Sequence, residues 1–108
     1  MSPKSDKVSV VAKLTIKADK ADAFPAAWDE FLAHVDANEP ETEHYMLHRS
    51  GTEPNVFYVT EVYASQAALD AHMGSDAFAA FGASLGGFFE GAPDLQFLAP
   101  VKAAKGQA

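Results

Sequence analysis

Along this chain the spacing of apolar residues switches between two and three-to-four in the order strand, helix, strand, strand, helix, strand, and few folds accept that order. From Val8 to Ile16 the even positions Val8, Val10, Ala12, Leu14 and Ile16 are apolar, with Ser9, Lys13 and Thr15 between them. This predicts a strand with one buried face. From Asp22 the period lengthens: Phe24, Ala27, Trp28, Phe31, Leu32 and Val35 make one stripe along a helix, with Asp29, Glu30 and Asp36 on its wet side. Asp22 is the expected N-cap, which puts Pro25 at the third helical position, where its missing N–H has no intrahelical partner. The helix is expected to end near Asn38, ahead of Pro40.

Residues 43–49 alternate Tyr45 and Leu47 against His44, Met46 and His48, and residues 56–63 are dense in β-branched and aromatic types. These read as strands two and three, joined into an antiparallel hairpin by the turn residues 50–55. Ser65 can cap a short helix over 66–73 and Ser75 a second over 76–85, with Gly74 as the break. Residues 94–101 read as strand four. The order β-α-β-β-α-β is that of the α+β ferredoxin-like class, in which helices cover one face of a four-stranded antiparallel sheet. With Tyr45 and Leu47 turned to the helices, His44, Met46 and His48 face away, and strand three carries large side chains on both faces. The chain has no element left to cover that second face, so a homodimer joined through it is expected.

At 108 residues the chain fits one domain, expected over residues 7–102, with 1–6 and 103–108 as flexible ends. Fifteen acidic against eight basic residues give a formal charge of −7, the wrong sign for binding nucleic acid or an anionic membrane surface. With no cysteine, thiolate nucleophiles, disulfides and thiolate-bound metals are excluded. No apolar run is long enough to span a bilayer, and the polar start lacks an apolar signal core, so a soluble, cytoplasmic protein is expected.

Glu39-Pro40, the Tyr45-x-Leu47 pattern, Glu61-Val62-Tyr63 and the run Ala68-x-x-x-His72-x-x-Ser75-x-x-Phe78 together resemble the antibiotic biosynthesis monooxygenase family. The resemblance covers nearly the whole chain and implies a dimeric α/β barrel. Its members differ in chemistry: some oxidise polycyclic phenols to quinones with oxygen and neither metal nor flavin, some act on hydroquinones, some degrade haem, and one kind processes a phosphorylated signalling sugar. Haem degradation would need an Asn where this chain has Ala12 and a His where it has Phe81. The chain also departs from a commoner Glu-Pro-Gly pattern, reading Glu39-Pro40-Glu41 before strand two.

The resemblance implies a cofactor-independent monooxygenase acting on a small phenol or quinol, with no cofactor and no metal. In that reading His72 assists deprotonation of the substrate, Glu61 orients it, and Trp28, Phe57, Tyr63, Phe78 and Phe81 wall off water. Imidazole suits the role because it titrates near neutrality without perturbation. The alternative for His72 is a helix-end side chain that satisfies backbone carbonyls or the Ser75 cap. Glu61, mid-strand on the side of Phe57, Val59 and Tyr63, needs a partner, for which His72 or Arg49 is the obvious choice, unless it is a rim ion pair. Arg49 is expected to pair with Glu61 or Glu53. His44 and His48, four apart on a strand, are separated by about 13 Å along it, too far to share a metal ion. The glycine-rich stretch around Phe88-Phe89 is expected to form a mobile flap. A rival reading keeps the fold without turnover, as a dimeric small-molecule-binding or stress-associated domain, or carries out a non-oxidative isomerisation.

Overall fold

The computed structural model describes residues 6–104. The expectation of frayed ends falls mostly on 1–5 and 105–108, outside the described residues. Four strands, β1 (Val8–Thr15), β2 (Thr42–Arg49), β3 (Val56–Tyr63) and β4 (Asp94–Leu98), form one antiparallel sheet in the order β2-β3-β1-β4. Helices α1 (Asp29–Asn38), α2 (Gln66–Met73) and α3 (Asp76–Leu85) complete the ferredoxin-like α+β fold that the period switches predict. Among the described residues no helix is long and apolar enough to cross a membrane.

Register explains what each strand buries. Val10 pairs with Glu61, Ala12 with Val59 and Leu14 with Phe57, so these side chains share the covered face, together with Tyr45 and Leu47 of β2. Val11, Thr60 and Met46 line up on the opposite face. Leu95 and Phe97 of β4 stay exposed although they sit on the covered side, opposite Ala12 and Val10.

The approach to α1 differs from expectation. Ala18–Lys20 and Pro25–Trp28 are 3₁₀ turns, and α-helical geometry begins only at Asp29. Ala21 and Phe24 are buried at a spacing of three, the 3₁₀ period, and the apolar pattern cannot separate this from an α-helix. Asp22 caps nothing in this segment; its carboxylate instead pairs with Arg49 at 2.8 Å. Arg49 also donates to the Pro54 carbonyl and lies 5.2 Å over the Phe57 ring, rather than pairing with Glu61 or Glu53.

Ser65 and Ser75 cap α2 and α3 as expected, accepting from the backbone N–H of Ala68 and Phe78. The segment after α3 is not a free flap. Lys17 N–H donates to Phe88, Glu90 N–H donates to Thr15, and both Phe88 and Phe89 pack against Phe24.

Candidate active site

Four elements bring polar groups to one corner of the covered face. Glu61 and Tyr63 stand two apart on β3, and Tyr45 faces Glu61 across the β2–β3 ladder. On α2, Ala68, Leu69 and His72 make the buried stripe at spacings of three and four, which turns the last helical turn and its imidazole toward the sheet. Glu39 closes α1 as its C-cap residue, donating its N–H to Val35, and enters from the fourth side.

The His72 ring is 2% exposed, and Nδ1 meets Glu39 Oε1 at 2.7 Å. The same oxygen accepts from the Thr42 hydroxyl at 2.8 Å. An ionised carboxylate only accepts, so Nδ1 carries the proton in this contact and the lone pair of a neutral ring sits on Nε2. Nε2 is buried and has no hydrogen-bond partner among the described residues, and neither does Glu39 Oε2. Around the ring stand Phe31, Tyr45, Tyr63 and Phe78, with centroids 5.7, 5.1, 5.3 and 5.1 Å away. Ser75 donates its hydroxyl to the His72 carbonyl at 2.9 Å while capping α3, which fixes the end of α2 from behind. Imidazole and helix cap are thus parts of one arrangement.

Glu61 is buried and accepts from the Tyr63 hydroxyl. Burial, the largest cause, pushes its carboxyl up to about 7; the Tyr63 hydrogen bond opposes that rise, and the Glu39 charge adds to it. Burial and the nearby carboxylates likewise push both Tyr45 and Tyr63 well above the ordinary phenol range, so both remain hydroxyl donors. The corner therefore holds an imidazole with one free nitrogen, a carboxyl able to exchange a proton near neutrality, and two neutral phenols.

Of the residues expected at the site, His72, Glu61, Tyr63 and Phe78 come together here. Phe81 stacks on Phe31 at 4.3 Å and meets Trp28 at 4.7 Å, one ring farther out. Trp28 is buried beside Tyr45, its Nε1 without a partner. Phe57 is placed elsewhere: six residues from Tyr63 along β3, about 20 Å by the strand rise, it packs with Phe24 and Leu14. Glu39 takes the place expected of Glu61 as the carboxylate on His72. Two neighbours of the imidazole were given no site role from the sequence: Glu39 and Tyr45. Glu39-Pro40 and Tyr45 are in the motif that carries the family resemblance, which was the available signal.

A cleft of about 410 Å³ reaches this corner between α1 and α2, lined by Glu39, Thr42, His72 and Ser75 among others. Among the described residues, no three His, Asp or Glu side chains gather as a metal centre.

The family model described as antibiotic biosynthesis monooxygenase matches residues 7–84. A crystal structure from Caulobacter crescentus CB15, provisionally named an antibiotic biosynthesis monooxygenase, is 41% identical and superposes with a TM-score of 0.85 over 91% of this chain and 92% of that one. The Rv0793 protein of Mycobacterium tuberculosis is 26% identical with a TM-score of 0.80, covering 92% of this chain and 99% of its own. A Nitrosomonas europaea protein, also provisionally named for this activity, shares the fold at 15% identity and a TM-score of 0.80, covering 94% and 96%. No protein of curated function matches the sequence.

Proposed function

This chain belongs to the antibiotic biosynthesis monooxygenase family, and on that premise we propose that it is a cofactor-independent monooxygenase acting on a small phenol or quinol. One observation carries the reading: a buried imidazole is held by Glu39 at Nδ1 and leaves Nε2 unpartnered. A phenolic hydroxyl is the complementary group, and its proton passes to Nε2. Glu61, with its carboxyl near neutrality and tied to Tyr63, orients the substrate. Phe78, Phe81, Tyr63 and Trp28 exclude water.

The electron-rich anion then forms a carbon–oxygen bond to dioxygen. The peroxide bond breaks as water leaves, and a quinone remains. The substrate supplies the electrons, so the scheme invokes no cofactor. Oxygen uptake against a panel of phenols and quinols, run with a chelator, tests it. His72→Ala is expected to lower turnover by about 100-fold or more; uptake equal to the parent's would remove His72 from the mechanism.

The working unit we propose is a homodimer joined through the outer sheet face, where Met46 is 48% exposed. Sedimentation at the mass of one chain would overturn it. The second reading, a binding domain without turnover, is favoured by the tight packing of Tyr63 and Trp28, which are 0% and 4% exposed. It predicts saturable binding of a phenol with no oxygen consumed.

A further inference from the structure

Two clefts open on the helical side of the molecule, away from the sheet face that closes in the proposed homodimer. The first is the one that reaches His72 between α1 and α2. The second, also of about 410 Å³, runs between α1 and α3, walled by Ala27, Ala77, Ala80 and Ser84 with the stacked rings of Phe31 and Phe81 beneath. His34 belongs to the lining of both. Phe31 is a second link, because its ring stacks on Phe81 and also stands 5.7 Å from the His72 imidazole. Residues 77, 80 and 84 recur at spacings of three and four, so their small side chains fall on one face of α3 and leave a channel where larger ones would interlock with α1.

We propose that the two clefts form one elongated binding site, in which a hydroquinone head reaches His72 and an unbranched, uncharged alkyl tail on its ring lies along the α1–α3 groove. The head group rests on the oxygenase reading, whereas the tail rests on the groove. A stripe of small residues alone serves only to bring helices together. Here it leads to an imidazole 2% exposed whose Nε2 has no partner among the described residues. His34 is a fixed wall at the junction: the Asn38 amide donates to its Nδ1 at 3.2 Å and to its carbonyl at 3.1 Å, and its ring stacks on Phe31. The charged groups that line the clefts are Glu30, Glu39 and Glu41, with no lysine or arginine among the described residues there. A tail carrying a carboxylate or phosphate would therefore meet Glu30 without a counter-charge. Seven residues separate Ala77 from Ser84, about 10 Å by helix rise. An extended tail of about eight carbons spans that length at roughly 1.2 Å per bond.

The test is a series of methyl-, butyl-, hexyl- and octylhydroquinone with the full chain. Affinity is read without oxygen from the fluorescence of Trp28, the one tryptophan, whose ring lies 4.7 Å from Phe81, and kcat/KM is read from oxygen uptake. Each methylene should tighten binding about two- to threefold, less than the roughly fourfold of full burial because the groove is open on one side. Octylhydroquinone should then bind about a hundredfold or more tighter than methylhydroquinone. Ala80→Leu fills the groove with a side chain that suits a helix, and should reduce this octyl-to-methyl ratio at least tenfold. Ala79→Leu, on α3 but outside the lining, should leave the ratio unchanged. A tail of equal length ending in a carboxylate should lose most of the gain. An affinity that is flat along the series, no binding of any member, or a ratio that survives Ala80→Leu would overturn the proposal. So would a ratio lost equally in Ala79→Leu, which would assign the effect to α3 as a whole. Affinity that grows with chain length and falls in Ala80→Leu, with no oxygen consumed, would support the groove while removing the oxygenase reading.

Discussion

The covered face of the sheet has two ends that are equally buried and chemically opposite. At one, Phe24, Phe57, Leu14 and Ile16 pack carbon against carbon, Phe88 and Phe89 close the side, and Arg49 lies over the top, pinned by Asp22. At the other, Glu61, Tyr63 and His72 are 9%, 0% and 2% exposed, and a cleft opens beside them. Burial alone does not distinguish a core from a site. At the first end Phe24, Phe57, Leu14 and Ile16 pack among apolar groups, and among the described residues the one orphaned polar atom in their cluster is Trp28 Nε1. At the second, Nε2 of His72 and Oε2 of Glu39 have no partner, and a carboxyl is carried out of water at a cost in stability. On this comparison the dry end should hold the fold, and the polar end should reduce stability under the conditions in which it is charged.

The largest effect is expected at the dry end. Phe57→Ala empties a site that is 1% exposed and ringed by aliphatic and aromatic groups. It should cost about 3 to 5 kcal/mol in urea unfolding, while oxygen uptake per folded molecule stays as in the parent. A loss below about 1 kcal/mol would mean that the two ends do not divide the work in this way.

Glu61→Gln probes the polar end with the opposite sign. In the unfolded chain the carboxyl ionises around 4.5, whereas in the folded protein burial holds it near 7. Below the lower value it is protonated in both states and the shift has no effect. Between 4.5 and 7 the unfolded state ionises first, so stability falls as pH rises, and above 7 the whole penalty is present. That penalty is at most about 3 kcal/mol. Glutamine keeps an acceptor for the Tyr63 hydroxyl and cannot ionise, so the variant should gain on the parent by up to about that amount between about pH 5 and about pH 8. Urea midpoints at the two pH values measure it, and a constant difference between the proteins would refute the assignment.

How much of each end was legible in the sequence follows from the range of the interactions. Strand β3 and helices α2 and α3 fall where the apolar period and the Ser65 and Ser75 caps put them, because both signals act within a few residues. The 3₁₀ entry to α1 was not legible, since a spacing of three serves either helix type. The Glu39–His72 contact joins residues 33 apart, and no local pattern encodes which of two carboxylates reaches the ring. His44 and His48 both reach the Thr60 hydroxyl, at 2.7 and 2.9 Å, by side-chain tilt across two strands, which alternation along one strand does not contain.

Ser75 gives a smaller effect, confined to the polar end. Its hydroxyl both caps α3 and holds the His72 carbonyl. Ser75→Ala should cost about 1 kcal/mol and raise amide exchange at the end of α2 and the first turn of α3, leaving the protons around Phe57 as protected as before. Equal loosening at both ends would show that the two regions unfold as one.

The smallest effect is expected from the tie that closes the dry end. Asp22 is 96% exposed at its side chain, so water and salt screen its 2.8 Å contact with Arg49. Exposed pairs of this kind contribute about 0.2 to 1 kcal/mol. Arg49 also keeps its bond to the Pro54 carbonyl and its place over Phe57 without Asp22. Asp22→Ala should therefore shift the urea midpoint slightly, and less still in about 0.5 M salt. If Asp22 instead capped the helix, as the sequence alone predicts, the loss would be about 1 kcal/mol and nearly independent of salt, because a cap is a short hydrogen bond to backbone N–H groups. The salt dependence of this one substitution thus distinguishes a lid over the aromatic end from a helix start.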